Sequence, residues 1–417
     1  MQTPYQPVKA WSVALLLFIF IVVNFADKVV LGLVAVPLMA DLNFSPSEFG
    51  LLGSSFFWLF AISGVLGGWL ADRFKTKWLL LCMAITWSVT QLPIIYGASL
   101  SAMLVARVLL GAGEGPAWPV AVHAIYKWFP NEKRTLPVAV FSQSGAIGLL
   151  LAGLTIPLIT QRFGWRANFV GLAIIGAAWG VLWLIFGKEG PIDPKEMGES
   201  QIAIKDRPLR SVLADPTVWG NILMHFVAYW SLAGGLTWLP AYFQNGLGLD
   251  GVAAGRTYGL VVGTTIPLVL ISSWLSQRLL NKGWSSRMAR GRFSSLWLML
   301  AGLVFAILMV PNMPNAARIA VFSIALGLTP AIYALGPAML AQVTPPGRRG
   351  VVLAIDNSVA SLAGVFAPAI SGQLIERYAG SQGYEMGFLL TGALLIVGGL
   401  VGWFVVNPEK SIARLNA

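Results

Sequence analysis

Four ionisable residues stand where apolar helices would exclude them. Asp27 and Lys28 lie in Ile-Val-Val-Asn24-Phe25-Ala26-Asp27-Lys28-Val-Val-Leu. Arg107 and Glu114 lie in Ala-Arg107-Val-Leu-Leu-Gly111-Ala-Gly113-Glu114-Gly115-Pro116-Ala. A charge in mid-membrane is costly unless paired or wetted, so each is a candidate functional group. Arg107 and Glu114 are two helical turns apart, which puts them on one helix face about 10 Å apart along the axis. Two cations can hold an anion. A buried carboxyl beside a cation stays ionised, and the same carboxyl can take a proton once an anion neutralises that cation. Such a site can couple anion binding to protonation. If the four charges only locked two helices together, the glycines and Pro116 around Glu114 would have no purpose. These residues break regular helix and let another helix or a ligand approach closely.

The elements that must position these groups follow from composition. The chain has 417 residues, of which 57% are hydrophobic and only 11% charged. Soluble domains carry about 25% charged residues, so an ordinary soluble enzyme is excluded. A membrane-spanning helix needs about 20 apolar residues. The apolar stretches read as twelve such helices, over 11–39, 48–70, 77–98, 101–127, 135–160, 167–187, 217–244, 254–280, 293–311, 316–343, 350–378 and 384–406. The fold class is therefore an all-α membrane protein. A single Cys excludes an intramolecular disulfide and a thiolate metal cage, and two His argue against a His-built metal or haem site. No Gly-x-Ser-x-Gly, His pair or phosphate loop is present, so neither an enzyme nor a cofactor other than the proton is expected. The net charge of +11 does not point to nucleic acid, because the cations sit in loops between apolar runs.

Cations also set orientation, since lysines and arginines stay cytoplasmic. They cluster in alternate loops, as in Arg73, Lys75 and Lys77, or Lys127, Lys133 and Arg134. The opposite side carries only Arg162, Arg166, Arg256, Arg318 and Arg377. Both termini are expected inside. The first span is too long for a cleaved signal peptide, and no leader points to an organelle, so a multi-pass protein of a bacterial inner membrane is expected. The longest polar stretch divides the chain into a six-helix bundle over 1–187, a cytoplasmic linker over 188–216 and a second bundle over 217–417. Two short echoes support related halves. Trp69-Leu-Ala-Asp72-Arg73 returns as Trp274-Leu-Ser-Gln-Arg278, and Gly-Leu-Thr-Ile-Pro157 returns as Gly-Val-Phe-Ala-Pro368, at nearly the same offset. The 17 Trp are read mainly as interfacial belts.

At these residues the chain resembles a major facilitator superfamily transporter, and most of all the anion:cation symporter family. That family includes bacterial galactonate and glucarate carriers and animal sialic acid and vesicular glutamate carriers. Gly68-Trp-Leu-Ala-Asp72-Arg73-Phe-Lys75-Thr-Lys77 is similar to the superfamily motif between the second and third helices, with Lys75 where Gly is usual. Phe25-Ala26-Asp27-Lys28 is similar to the family's first-helix pattern, with Lys28 in place of Arg. Arg107, Gly111, Glu114 and Pro119 match its fourth-helix pattern. The animal branch has a His at the position of Val122; His123 is one place off and inherits no role. The resemblance implies proton-driven symport of a small organic anion, such as a sugar acid, by alternating access in a monomer. It implies that Asp27 and Glu114 couple protons, that Arg107 and Lys28 meet a substrate carboxylate, and that Asp72 and Arg73 act in an inside gate.

The second half offers thinner candidates for substrate contact: Tyr229, Trp238, Tyr333, Asn357 and Ser361, with Gln143 from the fifth span. Asp356 is expected to pair with Arg348 and Arg349 near the inner surface. His225 is expected to be solvated near the inner end of its span. The main alternative is a proton-coupled drug or metabolite exporter of the same fold. Its cationic cargo would call for acids without compensating cations, which Lys28 and Arg107 oppose. A facilitative sugar carrier would likewise not need two buried cations.

Overall fold

The computed structural model of the chain describes residues 6–96, 99–130, 133–192 and 208–416. The described residues are helical, with no strand among them. They form two compact units: the described parts of 1–199 with 250–259, and those of 200–249 with 260–417. Most of the 188–216 stretch read as a linker lies outside the described residues.

In chain order the helices up to the first masked stretch of that linker are α1 (Pro7–Leu33), α2 (Ala35–Leu42), α3 (Pro46–Ser55), α4 (Phe57–Arg73), α5 (Thr76–Thr90), α6 (Leu92–Ile95), α7 (Leu100–Glu114), α8 (Ala117–Trp128), α9 (Thr135–Ser142), α10 (Ser144–Phe163) and α11 (Arg166–Phe186). Beyond it come α12 (Leu209–Leu213), α13 (Pro216–Ala241), α14 (Gly251–Asn281), α15 (Phe293–Ala306), α16 (Asn315–Leu328), α17 (Ala331–Val343), α18 (Arg349–Ser361), α19 (Ala363–Arg377), α20 (Gln382–Val405) and α21 (Pro408–Asn416). Among the described residues eleven helical runs are long and apolar enough to cross a membrane. The stretch from Leu100 to Trp128 is not one of them, because Gly115 and Pro116 divide it into helices of 15 and 12 residues. Large apolar side chains such as Leu184, Ile185 and Phe186 on α11 and Leu270 and Ile271 on α14 are exposed, as a lipid-facing surface requires.

Several predicted spans are interrupted where one continuous helix was expected. The first turns at Val34, because Pro37 offers no N–H to the carbonyl of Leu33. The fifth is interrupted at Gln143 and the eleventh at Leu362. Some of the tryptophans are buried inside the first unit. Trp87, Trp179 and Trp183 are buried; Trp179 stacks on Trp183 and packs on Phe20, which stacks on Trp87. Their indoles also tie helices together: Trp179 donates to the Leu16 carbonyl and Trp183 to the Lys77 carbonyl, each at 2.9 Å.

Each unit holds down an early helix with a carboxylate from beyond a later one. Glu189, three residues past the end of α11, accepts from the backbone N–H of Thr76 and Lys77 at the start of α5, and from Lys127 at 2.6 Å. A carboxylate is favoured there by the unpaired N–H groups and the helix dipole. In the second unit Glu409 on α21 accepts from the N–H of Ser286 at 2.5 Å and of Arg287 at 3.2 Å, at a π-helical turn leading into α15. Asp215, at the start of α13, accepts from Ser411 at 2.7 Å and pairs with Arg414, both on α21.

Partial burial raises the Glu189 carboxyl, but Lys127 and the α5 amides outweigh it and hold the group below the usual range. A depressed carboxyl stabilises above its unfolded value, near pH 4.3, and that contribution is lost as the pH falls through the folded value. Glu189→Gln should therefore melt below wild type in detergent at pH 7. The two curves should converge below about pH 4.

Candidate functional site

Two helices of the first unit bring the intramembrane charges together. Asp27 and Lys28 sit in the last two turns of α1, Arg107 in mid-α7 and Glu114 at its end. All except Lys28 are buried, and the Lys28 side chain is only 11% exposed. The Lys28 ammonium lies 3.8 Å from Glu114 Oε2 and donates to Asn24 Oδ1 at 2.8 Å. Its remaining surface faces the rings of Phe25 and Phe60, at 4.5 and 5.0 Å. Such rings hold a cation without neutralising it.

Asp27 is not paired with its neighbour Lys28. Both its oxygens accept from Gln91 Nε2 at 2.9 Å, from the turn between α5 and α6. The sequence reading missed Gln91. Its signal was an amide beside Pro93 in an apolar run, which burial would force to find a partner.

Arg107 is the least satisfied group. It is 3% exposed, its guanidinium lies over the Phe56 ring at 5.0 Å, and Asp27 and Glu114 are both within Coulomb reach. Yet its Nε and Nη1 are buried with no hydrogen-bond partner among the described residues. Both oxygens of Glu114 are likewise buried, and the Asp27 carboxyl lies against them. Buried donors of a guanidinium are rarely left open, and a carboxylate is a strong acceptor for them.

The glycines explain how the helices come so close. A Cβ on Gly111 would stand 1.7 Å from the Phe56 carbonyl oxygen, and one on Gly115 2.3 Å from that of Phe60. α7 therefore lies backbone to backbone against the α3–α4 junction, which puts the Phe56 ring under Arg107. Gln143 lies between α9 and α10, whose Gly148 packs on the Val22 carbonyl of α1.

The remaining candidates are dispersed. Arg73 ends α4, exposed over the Trp69 ring; the Asp72 side chain lies outside the described residues. In the second unit Tyr229 and Trp238 lie on α13 and Tyr333 on α17. The Trp238 indole donates to the Pro368 carbonyl at 2.9 Å, a structural bond. Asn357 is exposed, and Ser361 turns back to the Ser358 carbonyl.

Two expectations are corrected. Asp356 does not pair with Arg348 or Arg349; Arg349 Nε donates to the Thr344 carbonyl, and Asp356 points the other way, to His225 and Asn221. His225 is accordingly buried rather than solvated. Charge proximity along α18 suggested the arginines, but two turns of helix separate them from Asp356. Arg318, read as an outer-side cation, is bound to Glu385 and donates to the Tyr242 hydroxyl at 2.8 Å. Among the described residues no group of three or more His, Cys, Asp or Glu could hold a metal.

Comparison with known proteins agrees with this architecture. The profile of the Major Facilitator Superfamily matches residues 16–290 and 279–416. The chain belongs to that superfamily: it is a multi-pass membrane transporter and no enzyme. Among its relatives is the chloroplastic ascorbate transporter of Arabidopsis thaliana, 28% identical over 96% of this chain and 76% of the relative. The hexuronate transporter of Bacillus subtilis is 28% identical over 95% of this chain and 94% of its own. A sodium-dependent phosphate transport protein of Arabidopsis thaliana is 27% identical over 97% and 80%. The fold is shared with a bacterial homologue of the lysosomal transporter Spinster, at a TM-score of 0.79, 16% identity and 99% coverage of both chains. It is also shared with a D-xylose–proton symporter, at 0.72, 17% identity and 96% and 99% coverage.

Proposed function

We propose that this protein is a proton-coupled symporter of small organic anions, with a carboxylate such as a sugar acid as cargo. The buried Arg107 with two unpartnered donor nitrogens carries the reading, and the anion transporters among the relatives support it. An incoming carboxylate can accept from one of those donors and neutralises the guanidinium. Asp27 and Glu114 then lose a compensating cation, and protonation becomes the lower-energy way to keep them buried. Loaded with anion and proton, the site carries little net charge and can turn toward the other face of the membrane. Without the anion, the acids and cations balance one another. A protonated, anion-free site keeps an uncompensated cation, so proton leak is disfavoured.

The cations also oppose the exporter alternative, whose cargo they would repel. The test is uptake into proteoliposomes under an inward proton gradient, using hexuronates and other carboxylates against neutral sugars and lipophilic cations. Uptake of carboxylates alone supports the reading, and drive by a sodium gradient in place of protons overturns its coupling. Arg107→Ala should weaken carboxylate binding by about 100-fold or more, since one partner of a buried charge pair is removed. Quenching of intrinsic tryptophan fluorescence in monodisperse protein would measure it.

A further inference from the structure

The second unit contains a buried acid that the mechanism above does not use. Asp356 on α18 is 1% exposed and has no lysine or arginine partner among the described residues. One oxygen accepts from Asn221 Nδ2 at 3.1 Å, and the other lies 2.7 Å from His225 Nδ1. Asn221 and His225 are one turn apart on α13, so a single helix face presents both to one carboxylate. By helical rise the pair lies about 10–14 Å from the starts of α13 and α18, well inside both. The Tyr333 ring from α17 stands edge-on to the imidazole at 5.2 Å, and the Tyr229 ring of α13 lies 6.3 Å away. Behind them α15 brings Ser295 against Met224, and α19 and α20 add no ion-pair partner to either residue among those described.

The chemistry follows from the charge count. With a neutral imidazole the pair is a buried anion with no cation beside it, a costly state. One added proton makes an imidazolium–carboxylate pair of zero net charge. The pair therefore exchanges one proton between a state that tolerates burial and one that needs water.

We propose that His225 and Asp356 form a second proton-binding site, carried by the second unit and separate from Asp27 and Glu114. The proton comes from water, adds to the imidazole, stays while the pair is buried and returns to water when the pair is wetted. The proposal rests on the reading of the chain as a proton-coupled symporter and raises the number of protons moved per anion by one.

In proteoliposomes held at zero membrane voltage, the pH gradient that just balances a D-glucuronate gradient gives that ratio. Asp356→Asn and His225→Gln should each lower it by one while transport continues through the first unit. An unchanged ratio overturns the proposal. A second measurement needs no transport and decides the matter if either variant is inactive. The chain has only two His, so the ¹⁵N imidazole signals of the His123→Gln protein belong to His225. They should pass between imidazolium and neutral forms as pH is changed, with the transition displaced by Asp356→Asn. A His225 that stays neutral from pH 5 to 9 overturns the proposal. Wild-type uptake indifferent to a proton gradient would instead overturn the symport reading, whatever the imidazole shows.

Discussion

Glu114→Gln should exchange anion across a membrane and yet lose the accumulation that its own proton drives. Glutamine mimics a carboxyl that never releases its proton. Exchange of labelled for unlabelled anion needs no net proton step, so counterflow should persist. Accumulation needs protonation and release in every cycle. For one proton per anion, a gradient of one pH unit sustains about tenfold accumulation, corresponding to 1.36 kcal/mol. The variant should fall short of wild type by that factor for each pH unit, because it loses the proton carried at Glu114 and any proton carried elsewhere is untouched. Both assays should be normalised to monodisperse protein, because an unpaired Lys28 could also lower the folded yield. If proton-driven accumulation survives in full, the coupling acid is Asp27 and the role given to Glu114 is wrong.

Gly111→Ala should have the largest effect of any one-carbon change. The added Cβ would meet the Phe56 carbonyl at 1.7 Å and other backbone atoms of Phe56 at 2.8 and 3.3 Å. No side-chain rotation relieves a clash with backbone, so α7 must move off the α3–α4 junction. Overpacking of this kind costs about 1–3 kcal/mol. Because Phe56 also faces Arg107, anion affinity should fall together with thermal stability. Gly171→Ala, on α11, meets nothing within 4 Å and is the control that should change neither. A Gly111→Ala protein that melts and binds like wild type would show that this close approach is not needed.

The sequence made the first unit's charges legible because a charge in an apolar run is conspicuous. Their helix positions follow from spacing, and the break at Glu114 follows from Gly115 and Pro116. What it could not show is which charge faces which. Asp27 and Lys28 are adjacent in the chain, but successive residues point about 100° apart around a helix, and each found its partner elsewhere. Gln91 was hidden because an uncharged amide barely disturbs hydropathy. Asp356 was misplaced for the opposite reason, since two nearby arginines in sequence outweighed a histidine on another helix. Buried tryptophans such as Trp183 were also illegible, because the same residue serves lipid interfaces and cores.

The carboxylates at Glu189 and Glu409 set an order of assembly. Glu189 lies 113 residues after Thr76, whose helix start it covers, and Glu409 lies 123 residues after Ser286. On the ribosome, the start of α5 and the π-helical turn before α15 are each made long before the carboxylate that accepts from their N–H groups. Until then those amides must find their hydrogen bonds in water. The bond can form only once the distant glutamate has been made. Each unit thus has its own late contact, supplied by a residue past the end of a long helix, so the first can form while the second unit is still being translated.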